Sequence, residues 1–283
     1  MLLLGNLMGL TTRNLVASQQ VEQLNQRITT QLEQVAQLQR ALLPQQLPRI
    51  PGLSMNAHYR PCEQAGGDYY DFIPLKGGAQ PDDAINNDHP WGIMIADVSG
   101  HGASAAVIMA MVQTLAHAYP IDPEDPGRAL EQINAHLIAE RLDSSFVTAF
   151  LGVFHPDTRI LTYASAGHHP PRIKHIGENN PARPLELASA PPLGIFDQNY
   201  HVETKQQLLN TEDTLILFTD GVTEAMSPTR ELFGVERLDE AILCCSGEPD
   251  CIIGSLTAAV AQHEQGNRPV DDQTIVALKL ISD

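Results

Sequence analysis

The chain has 283 residues, 43% of them hydrophobic, so it is long enough for one large domain or two ordinary ones with a sizeable core. Its 17 basic and 34 acidic residues give a formal net charge of -17, which argues against nucleic-acid or anionic-membrane partners because both need a basic surface. The same charge repels a phosphorylated ligand unless bound cations reverse the field locally.

The cysteines and the first residues of the chain bear on its compartment. Cys62, Cys244, Cys245 and Cys251 show no C-x-x-C spacing and no disulfide framework, so we expect reduced thiols in a cytoplasmic protein. The apolar run MLLLGNLMGL is too short to span a bilayer and lacks both a basic region and a cleavage site. No membrane span is therefore expected.

A long N-terminal helix is predicted, because residues 16–43 are rich in Gln, Leu, Arg and Ala and contain no Gly or Pro. When Val21 is placed at heptad position a, the a and d positions form a seam along one side of the helix. Gln31 is the polar residue of this seam, at a d position, and the others are apolar: Val21, Leu24, Ile28, Val35, Leu38 and Leu42. The pattern fits a coiled-coil homodimer, and it also fits a single amphipathic helix packed on its own domain. The sequence leaves both interpretations open.

This helix is expected to end at Leu43, because three prolines follow it at positions 44, 48 and 51. The boundary divides the chain into a helical linker over residues 1–46 and a second domain over residues 47–283. The proline-rich stretch is either a stiff spacer or a hinge that transmits the position of the helix to the following domain.

The second domain contains many short strands and four longer helical stretches. Alternating or continuously apolar runs predict strands at 53–59, 69–75, 91–97, 146–154, 159–165, 172–175, 185–188, 201–209, 214–219 and 273–281. Helices are predicted at 102–119, 126–142, 232–245 and 249–265, and a surface loop at 76–90. Short turns between strands indicate antiparallel pairing, and blocks of helices between runs of strands indicate an α+β fold.

Acidic residues recur where the predicted strands begin or end. They lie in the stretches GGDYYD, IADVSGHG, LFTDG and DDQT, as Asp68, Asp71, Asp97, Asp220, Asp271 and Asp272. For any one aspartate a turn or a helix cap is the commoner explanation. Several of them beside apolar strands, with no obvious helix to cap, favour a site that gathers oxygen ligands around Mg2+ or Mn2+.

Taken in order, the motifs GGDYYD, IADVSGHG, SAGHHPP, LFTDGVTEA and DDQT resemble those of the PP2C-type (PPM) metal-dependent serine/threonine phosphatases, in their bacterial SpoIIE/RsbU-like branch. The resemblance covers about Leu47 to the C-terminus. It implies a PP2C-like α-β-β-α sandwich of two antiparallel sheets flanked by helices, here preceded by the long N-terminal helix.

The same resemblance implies a function and its partners. The reaction would be hydrolysis of phosphoserine or phosphothreonine on a protein substrate, such as a STAS-domain anti-anti-sigma regulator in a partner-switching pathway. The helices that precede such domains often carry a sensory input, so an upstream sensor domain or protein acting through the N-terminal helix is also expected.

The resemblance further implies a ligand set around two Mn2+ or Mg2+ ions, formed by Asp68, Asp97, Asp220, Asp271 and the Val98 carbonyl. Such ions activate a water for attack on phosphorus, so Asp68 and Asp97 count as catalytic as well as ligating. His101 is a candidate acid for the departing oxygen.

Other polar residues near these motifs are expected to have lesser roles. Asp71 and Asp272 would orient ligands or form turns, His168 and His169 would brace a loop, and Arg60 is a speculative phosphate contact. Two alternative functions remain. One is a catalytically inactive, partner-binding module, and the other is a hydrolase of another substrate class with histidine ligands, which zinc dependence would distinguish.

Overall fold

The structure is a computed structural model that describes residues 2–75, 89–142, 145–175, 182–188 and 190–282. Its helices are α1 (Leu2–Leu42), α2 (Ala103–Ala118), α3 (Pro126–Ala139), α4 (Asp220–Thr223), α5 (Gly234–Leu243) and α6 (Pro249–Glu264). Its strands are β1 (Leu53–Arg60), β2 (Tyr69–Pro74), β3 (Trp91–Val98), β4 (Val147–His155), β5 (Ile160–Ala166), β6 (Arg172–Lys174), β7 (Arg183–Pro184), β8 (Lys205–Leu208), β9 (Thr214–Phe218) and β10 (Gln273–Leu280). The predicted loop at 76–90 lies outside the described residues except at its end.

The strands form two five-stranded sheets, ordered β1-β10-β9-β6-β7 and β2-β3-β4-β5-β8, and the named strands pair antiparallel in both. Helix α6 packs on β1 and β10 of the first sheet, whereas α2 and α3 pack on the second. This arrangement confirms the predicted α+β sandwich of two antiparallel sheets flanked by helices.

Strand β9 is apolar from Leu215 to Phe218 because both of its faces are covered. Leu215 and Leu217 point into the main core between the sheets, while Ile216 and Phe218 point into a second core under α5 and α6. Successive strand residues face opposite sides, and here both sides are covered, so every position of the strand is buried. The carboxylates at the ends of such strands are therefore held at the edge of a dry interior.

Two strand predictions were wrong in extent. The predicted strand at 185–188 is absent from the described residues, where the short β7 ends at Pro184 and Leu185 donates its N–H to the Pro171 carbonyl at 2.8 Å. The predicted strand at 201–209 is reduced to β8, because Glu131 of α3 accepts the N–H of Val202 at 3.1 Å and contacts the His201 ring at 2.6 Å. A side chain thus replaces the backbone partner that a strand would need.

Helix α1 packs against α2, and the contacts that its described side chains make with the domain lie near its C-terminal end. Ala36, Gln39 and Leu43 are buried there, and they lie mostly beside the heptad seam rather than on it. Upstream, the seam residues stand free of the domain, with Val21, Leu24 and Ile28 exposed by 56%, 55% and 53%. The helix therefore packs on its own domain over its last turns and offers an apolar face above them. Among the described residues, no helix combines the length and the apolar character that a bilayer crossing requires.

Candidate active site and metal centre

Two carboxylates from each sheet lie at the same end of the sandwich. Asp68 directly precedes β2, Asp97 is the penultimate residue of β3, and the pairing of Tyr69 with Ala96 sets these aspartates side by side. Asp220 follows β9 and Asp271 precedes β10, and these two strands are also antiparallel neighbours. The topology thus gathers the four aspartates that the sequence analysis selected.

The carboxylates lie close enough to raise one another's pKa. Asp68 is fully buried, and this burial together with the Asp97 and Asp272 charges raises the pKa of Asp68 well above its usual range. Burial raises the pKa of Asp97 to about 8, with further contributions from Asp220, Asp271 and Asp272. Like charges held in a poorly solvated site disfavour the ionised forms, so the centre is under electrostatic strain unless cations neutralise it.

Two threonine hydroxyls hold the Asp68 carboxylate in place. The Thr219 hydroxyl donates to Asp68 Oδ2 at 2.8 Å, and the Thr274 hydroxyl donates to the same oxygen at 2.5 Å. Both threonines belong to the opposite sheet, so these hydrogen bonds join the sheets at the site. They leave Asp68 Oδ1 free of these two donors.

Asp272, expected to orient its neighbours, binds the backbone of the loop that leads to Asp68. Its Oδ1 accepts the N–H of Cys62 at 2.8 Å, and its Oδ2 accepts the N–H of Gly67 at 2.5 Å. A Cβ on Gly66 would overlap this carboxylate, so the close approach requires glycine. The Val98 carbonyl, proposed as a ligand, lies against Gly67 on the other side of this loop.

Asp220 was expected to have no helix to cap, but the structure places it at the start of one. It is the first residue of α4, and the Glu224 N–H donates to its carbonyl at 2.7 Å. Its side chain nevertheless lies near the acidic centre, since its charge raises the pKa of both Asp97 and Asp271. Burial and then Glu224 raise the pKa of Asp220, while His169 lowers it. Burial likewise raises the pKa of Asp271, which Asp220 also raises and His101 lowers.

The polar residues at the rim have distinct positions. The His101 ring is half-exposed, with Nδ1 3.1 Å from Glu63 Oε1, and it is near enough to Asp271 to affect that carboxyl. The Arg60 guanidinium lies 2.9 Å from Glu264 and also donates to Gln273, so it bridges β1, β10 and the end of α6. This pairing gives no support to a phosphate contact for Arg60.

His168 is buried beside the site, whereas the next residue, His169, is exposed. His168 Nδ1 lies 2.9 Å from the Thr148 hydroxyl, and burial lowers the pKa of His168 to about 3. The His169 ring stacks on Phe218 with centroids 6.1 Å apart. These contacts agree with bracing roles. Within the described part of the chain, the ligand-type group gathered within 4.8 Å contains no histidine, so a histidine-ligated zinc centre gains no support.

That close group consists of Cys62, Asp271 and Asp272, and the thiol is a neighbour that the sequence analysis did not connect with the site. Burial and the Asp272 charge raise the pKa of Cys62 to about 12, so the thiol is neutral. Asp68 and Asp97 lie outside this close group, yet the charge of Asp272 raises the pKa of both. The acidic centre therefore includes more residues than the group of Cys62, Asp271 and Asp272.

Gln39 of α1 is a second neighbour that the sequence did not reveal. Its Nε2 donates to the Gly66 carbonyl at 2.5 Å, and its Oε1 accepts the Gly66 N–H at 2.9 Å. Gly66 stands two residues before Asp68 in the loop that Asp272 holds. The N-terminal helix is thus hydrogen-bonded directly to the backbone of the acidic centre.

The donor set of the centre suits hard divalent cations. Asp68, Asp97, Asp220 and Asp271 offer carboxylate oxygens, and in the described residues no Lys or Arg forms an ion pair with any of them. Oxygen donors without nitrogen or thiolate are the ligands that Mg2+ and Mn2+ prefer. The residues present therefore fit the metal that the motifs suggested.

Solved structures define the class of the fold. The SiaA-PP2C domain of Pseudomonas aeruginosa superposes with a TM-score of 0.72 at 20% identity, covering 92% of this chain and 98% of that one. RsbX, solved in complex with magnesium, superposes with a TM-score of 0.55 at 17% identity, covering 83% of this chain and 98% of RsbX. The sandwich is that of a PP2C-type phosphatase domain.

Sequence comparison gives the family. Residues 87–281 match the family described as Stage II sporulation protein E (SpoIIE), and the chain belongs to this family of serine/threonine phosphatase domains. It is 32% identical over 228 residues to the phosphoserine phosphatase RsbU of Bacillus subtilis (strain 168), covering 80% of this chain and 63% of RsbU. The chain thus spans less than two thirds of this curated relative.

Proposed function

We propose that the chain is a metal-dependent protein phosphatase that hydrolyses phosphoserine or phosphothreonine on a protein. The observation that carries the proposal is the acidic centre, where burial raises the pKa of all four aspartates and no Lys or Arg is ion-paired to them among the described residues. A fold that buries such like charges needs cations from solution. Membership of the SpoIIE family supports the reaction class.

The proposed ligands are the carboxylates of Asp68, Asp97, Asp220 and Asp271 and the Val98 carbonyl, around two Mn2+ or Mg2+ ions. Divalent cations bound there would supply a water of lowered pKa and positive charge for the phosphoryl oxygens. The magnesium complex of RsbX, which shares this fold, supports Mg2+ as one choice.

The remaining residues position this centre. The Thr219 and Thr274 hydroxyls hold Asp68 from the opposite sheet, and Asp272 holds the loop ahead of it. At the open rim, His101 is placed to donate a proton to the departing serine or threonine oxygen, with Glu63 orienting its Nδ1.

The proposed substrate is a phosphorylated STAS-domain regulator, and the proposed compartment is the cytoplasm. Support for the substrate comes from the resemblance to RsbU, whose name describes a phosphoserine phosphatase. Cations at the centre would also reverse the field of a chain with a net charge of -17, which otherwise repels a phosphoprotein.

We further propose that residues 1–46 act as a regulatory helix ahead of a phosphatase domain over residues 47–283. The Gln39 amide holds the Gly66 backbone through two hydrogen bonds, so a shift or rotation of α1 would move the loop that carries Asp68. The exposed apolar face at Val21, Leu24 and Ile28 supports pairing with a second copy or with an upstream sensor.

A matched pair of variants tests this regulation. Gln39→Ala removes both hydrogen bonds to Gly66, and we expect it to weaken Mn2+ affinity by about tenfold, as loss of a group that supports metal ligands commonly does. Gln37→Ala changes an exposed glutamine on the same helix and should leave the affinity unchanged. Equal affinities in the two variants would contradict a role for α1, as would deletion of residues 1–43 without effect on rate or metal dependence.

The proposed reaction is tested by hydrolysis of p-nitrophenyl phosphate and of a serine-phosphorylated STAS-domain protein. We expect turnover of both with Mn2+ and loss of turnover on addition of EDTA, with restoration by excess Mn2+. Equal rates in EDTA would refute the metal-dependent reaction. Tight Mn2+ binding without turnover of either substrate would favour the inactive, partner-binding alternative.

A further inference from the structure

Two cysteines, Cys245 and Cys251, are in contact where α5 leads into α6, away from the acidic centre. Cys245 is buried just after α5, and Cys251 is half-buried in the first turn of α6. The Cys245 thiol donates to the Cys251 carbonyl at 3.1 Å, so the two residues are in direct contact. Cys244, the adjacent residue in sequence, is exposed to solvent.

The environments of the two sulfurs are unequal. Hydrogen bonds from the Cys245 thiol and the Ser246 backbone, together with the Lys174 charge, lower the pKa of Cys251. Burial raises the pKa of Cys245 to about 11, so this thiol keeps its proton. The pair therefore combines a half-buried cysteine of lowered pKa with a buried neighbour that stays protonated, which is the usual arrangement of a reactive and a resolving cysteine.

The surrounding loop is held firmly enough to keep the sulfurs together. Lys174 Nζ donates to the carbonyls of Ile242 and Leu243 at 2.9 and 3.3 Å, at the C-terminal end of α5. The Thr214 hydroxyl donates to the Gly247 carbonyl at 2.6 Å. Since Thr214 begins β9 and Asp220 follows its end, the loop lies at the opposite end of that strand, roughly 15–20 Å from the acidic centre.

We propose that Cys245 and Cys251 form a peroxide-reactive site that closes to an intramolecular disulfide. The Cys251 thiolate attacks one oxygen of a hydroperoxide, whose O–O bond breaks, and gives a sulfenic acid while the protonated leaving group departs as water or an alcohol. The Cys245 sulfur then attacks the Cys251 sulfur, and its proton leaves with the hydroxyl as a second molecule of water. Both cysteines are oxidised and the hydroperoxide is reduced, so the step is balanced.

The test is differential alkylation of the reduced full chain after exposure to hydrogen peroxide. Free thiols are blocked with one reagent, disulfides are then reduced, and the released thiols are labelled with a second reagent for peptide mass spectrometry. We expect the second label on Cys245 and Cys251, and the first label on Cys244 and Cys62. Before oxidation, Cys251 should react with the first reagent several-fold faster than Cys245.

Variants separate the roles of the two sulfurs. Cys251→Ser should abolish disulfide formation and leave Cys245 a thiol, whereas Cys245→Ser should leave Cys251 as a sulfenic acid that dimedone traps. Serine can donate the same hydrogen bond to the Cys251 carbonyl, and circular dichroism checks that the fold is kept. Cys244→Ser is the matched control, because this neighbour is exposed and the disulfide should still form.

Two outcomes would overturn the proposal. One is a disulfide of Cys251 with Cys244 in place of Cys245. The other is recovery of both Cys245 and Cys251 as free thiols from a folded protein that has been oxidised at other residues. Neither outcome depends on the phosphatase reaction, because the readout is covalent and is measured without substrate.

Discussion

The acidic centre and the structural ion pair of Asp239 with Arg172 differ in the charge of the groups that surround their carboxylates. Asp239 lies 2.8 Å from the buried Arg172. At the acidic centre, Asp68 and Asp97 are more deeply buried than Asp239, yet the charged neighbours that shift their pKa are other carboxylates. The fold thus pairs a structural carboxylate with an arginine, whereas among the described residues it provides no such partner for the carboxylates of the centre.

The largest expected effect comes from removing one carboxylate of the centre. Asp97→Asn keeps the size of the side chain but removes a charge proposed to bind metal, so kcat with saturating Mn2+ should fall by about a hundredfold to a thousandfold. The measurement is p-nitrophenyl phosphate hydrolysis over a range of Mn2+ concentrations. An unchanged kcat would remove Asp97 from the active site.

The complementary change breaks a structural pair. Asp239→Ala leaves the Arg172 guanidinium, which is only 7% exposed, without its carboxylate. The free energy of unfolding in urea should fall by about 3 kcal/mol, while the Mn2+ affinity of the folded protein stays the same. Glu240→Ala, an exposed change on the same helix, should cost no more than about 0.5 kcal/mol. A loss of metal affinity in Asp239→Ala would show that the two regions are not separate.

A substitution at the acidic centre is expected to raise the free energy of unfolding of the metal-free protein, by less than Asp239→Ala lowers it. Asp68→Asn relieves repulsion by Asp97 and Asp272, and the amide oxygen can still accept a threonine hydroxyl. In EDTA, this variant should be more stable than the parent by about 1–2 kcal/mol, because the buried like charge is gone. Added Mn2+ should stabilise the parent far more than the variant. Destabilisation in EDTA, as at Asp239, would contradict the comparison.

The smallest effect concerns a paired carboxylate on the outer side of the second sheet. His117 Nε2 lies 2.7 Å from Asp71 Oδ2, which also accepts the Tyr69 hydroxyl, and this hydrogen bond raises the pKa of His117. A raised folded-state pKa means that the stabilisation is complete below the unfolded value of about 6.5 and is lost as pH rises through the folded value.

Because the His117 ring is 43% exposed, solvent screening limits this contribution to at most about 1 kcal/mol. His117→Gln should therefore lower the free energy of unfolding more at about pH 5.5 than at about pH 8.5. Urea unfolding of both proteins across this range provides the measurement. A penalty that is independent of pH would indicate that the histidine acts only by packing.

The strand ends could be predicted from sequence because they depend on local pattern. Apolar runs that end near Asp97 and Asp220 or begin near Asp271 mark where buried strands end or begin. Antiparallel pairing then brings these strand ends together. The same reasoning failed at 201–209, where the backbone is satisfied by Glu131 from another element. Contacts of that kind carry no periodic signal.

Gln39 was missed for a related physical reason. A glutamine in a Gln-rich helix resembles a solvated residue, and its partner Gly66 lies 27 positions away. The helix could be predicted over residues 16–43, which contain no Gly or Pro, but its extension through Gly5 and Gly9 and the face that docks on the domain could not. The heptad pattern marked the seam at Val21, Leu24 and Ile28, which stands exposed, and whether a second chain covers that seam stays a prediction.

The central claim is that the acidic centre binds divalent cations, and calorimetric titration of the metal-free protein with Mn2+ tests it most directly. The account predicts saturable binding of two ions to the parent chain and to Asp239→Ala, with loss of at least one ion in Asp97→Asn. Absence of saturable binding to the folded parent chain, or binding that Asp97→Asn leaves unchanged, would contradict it.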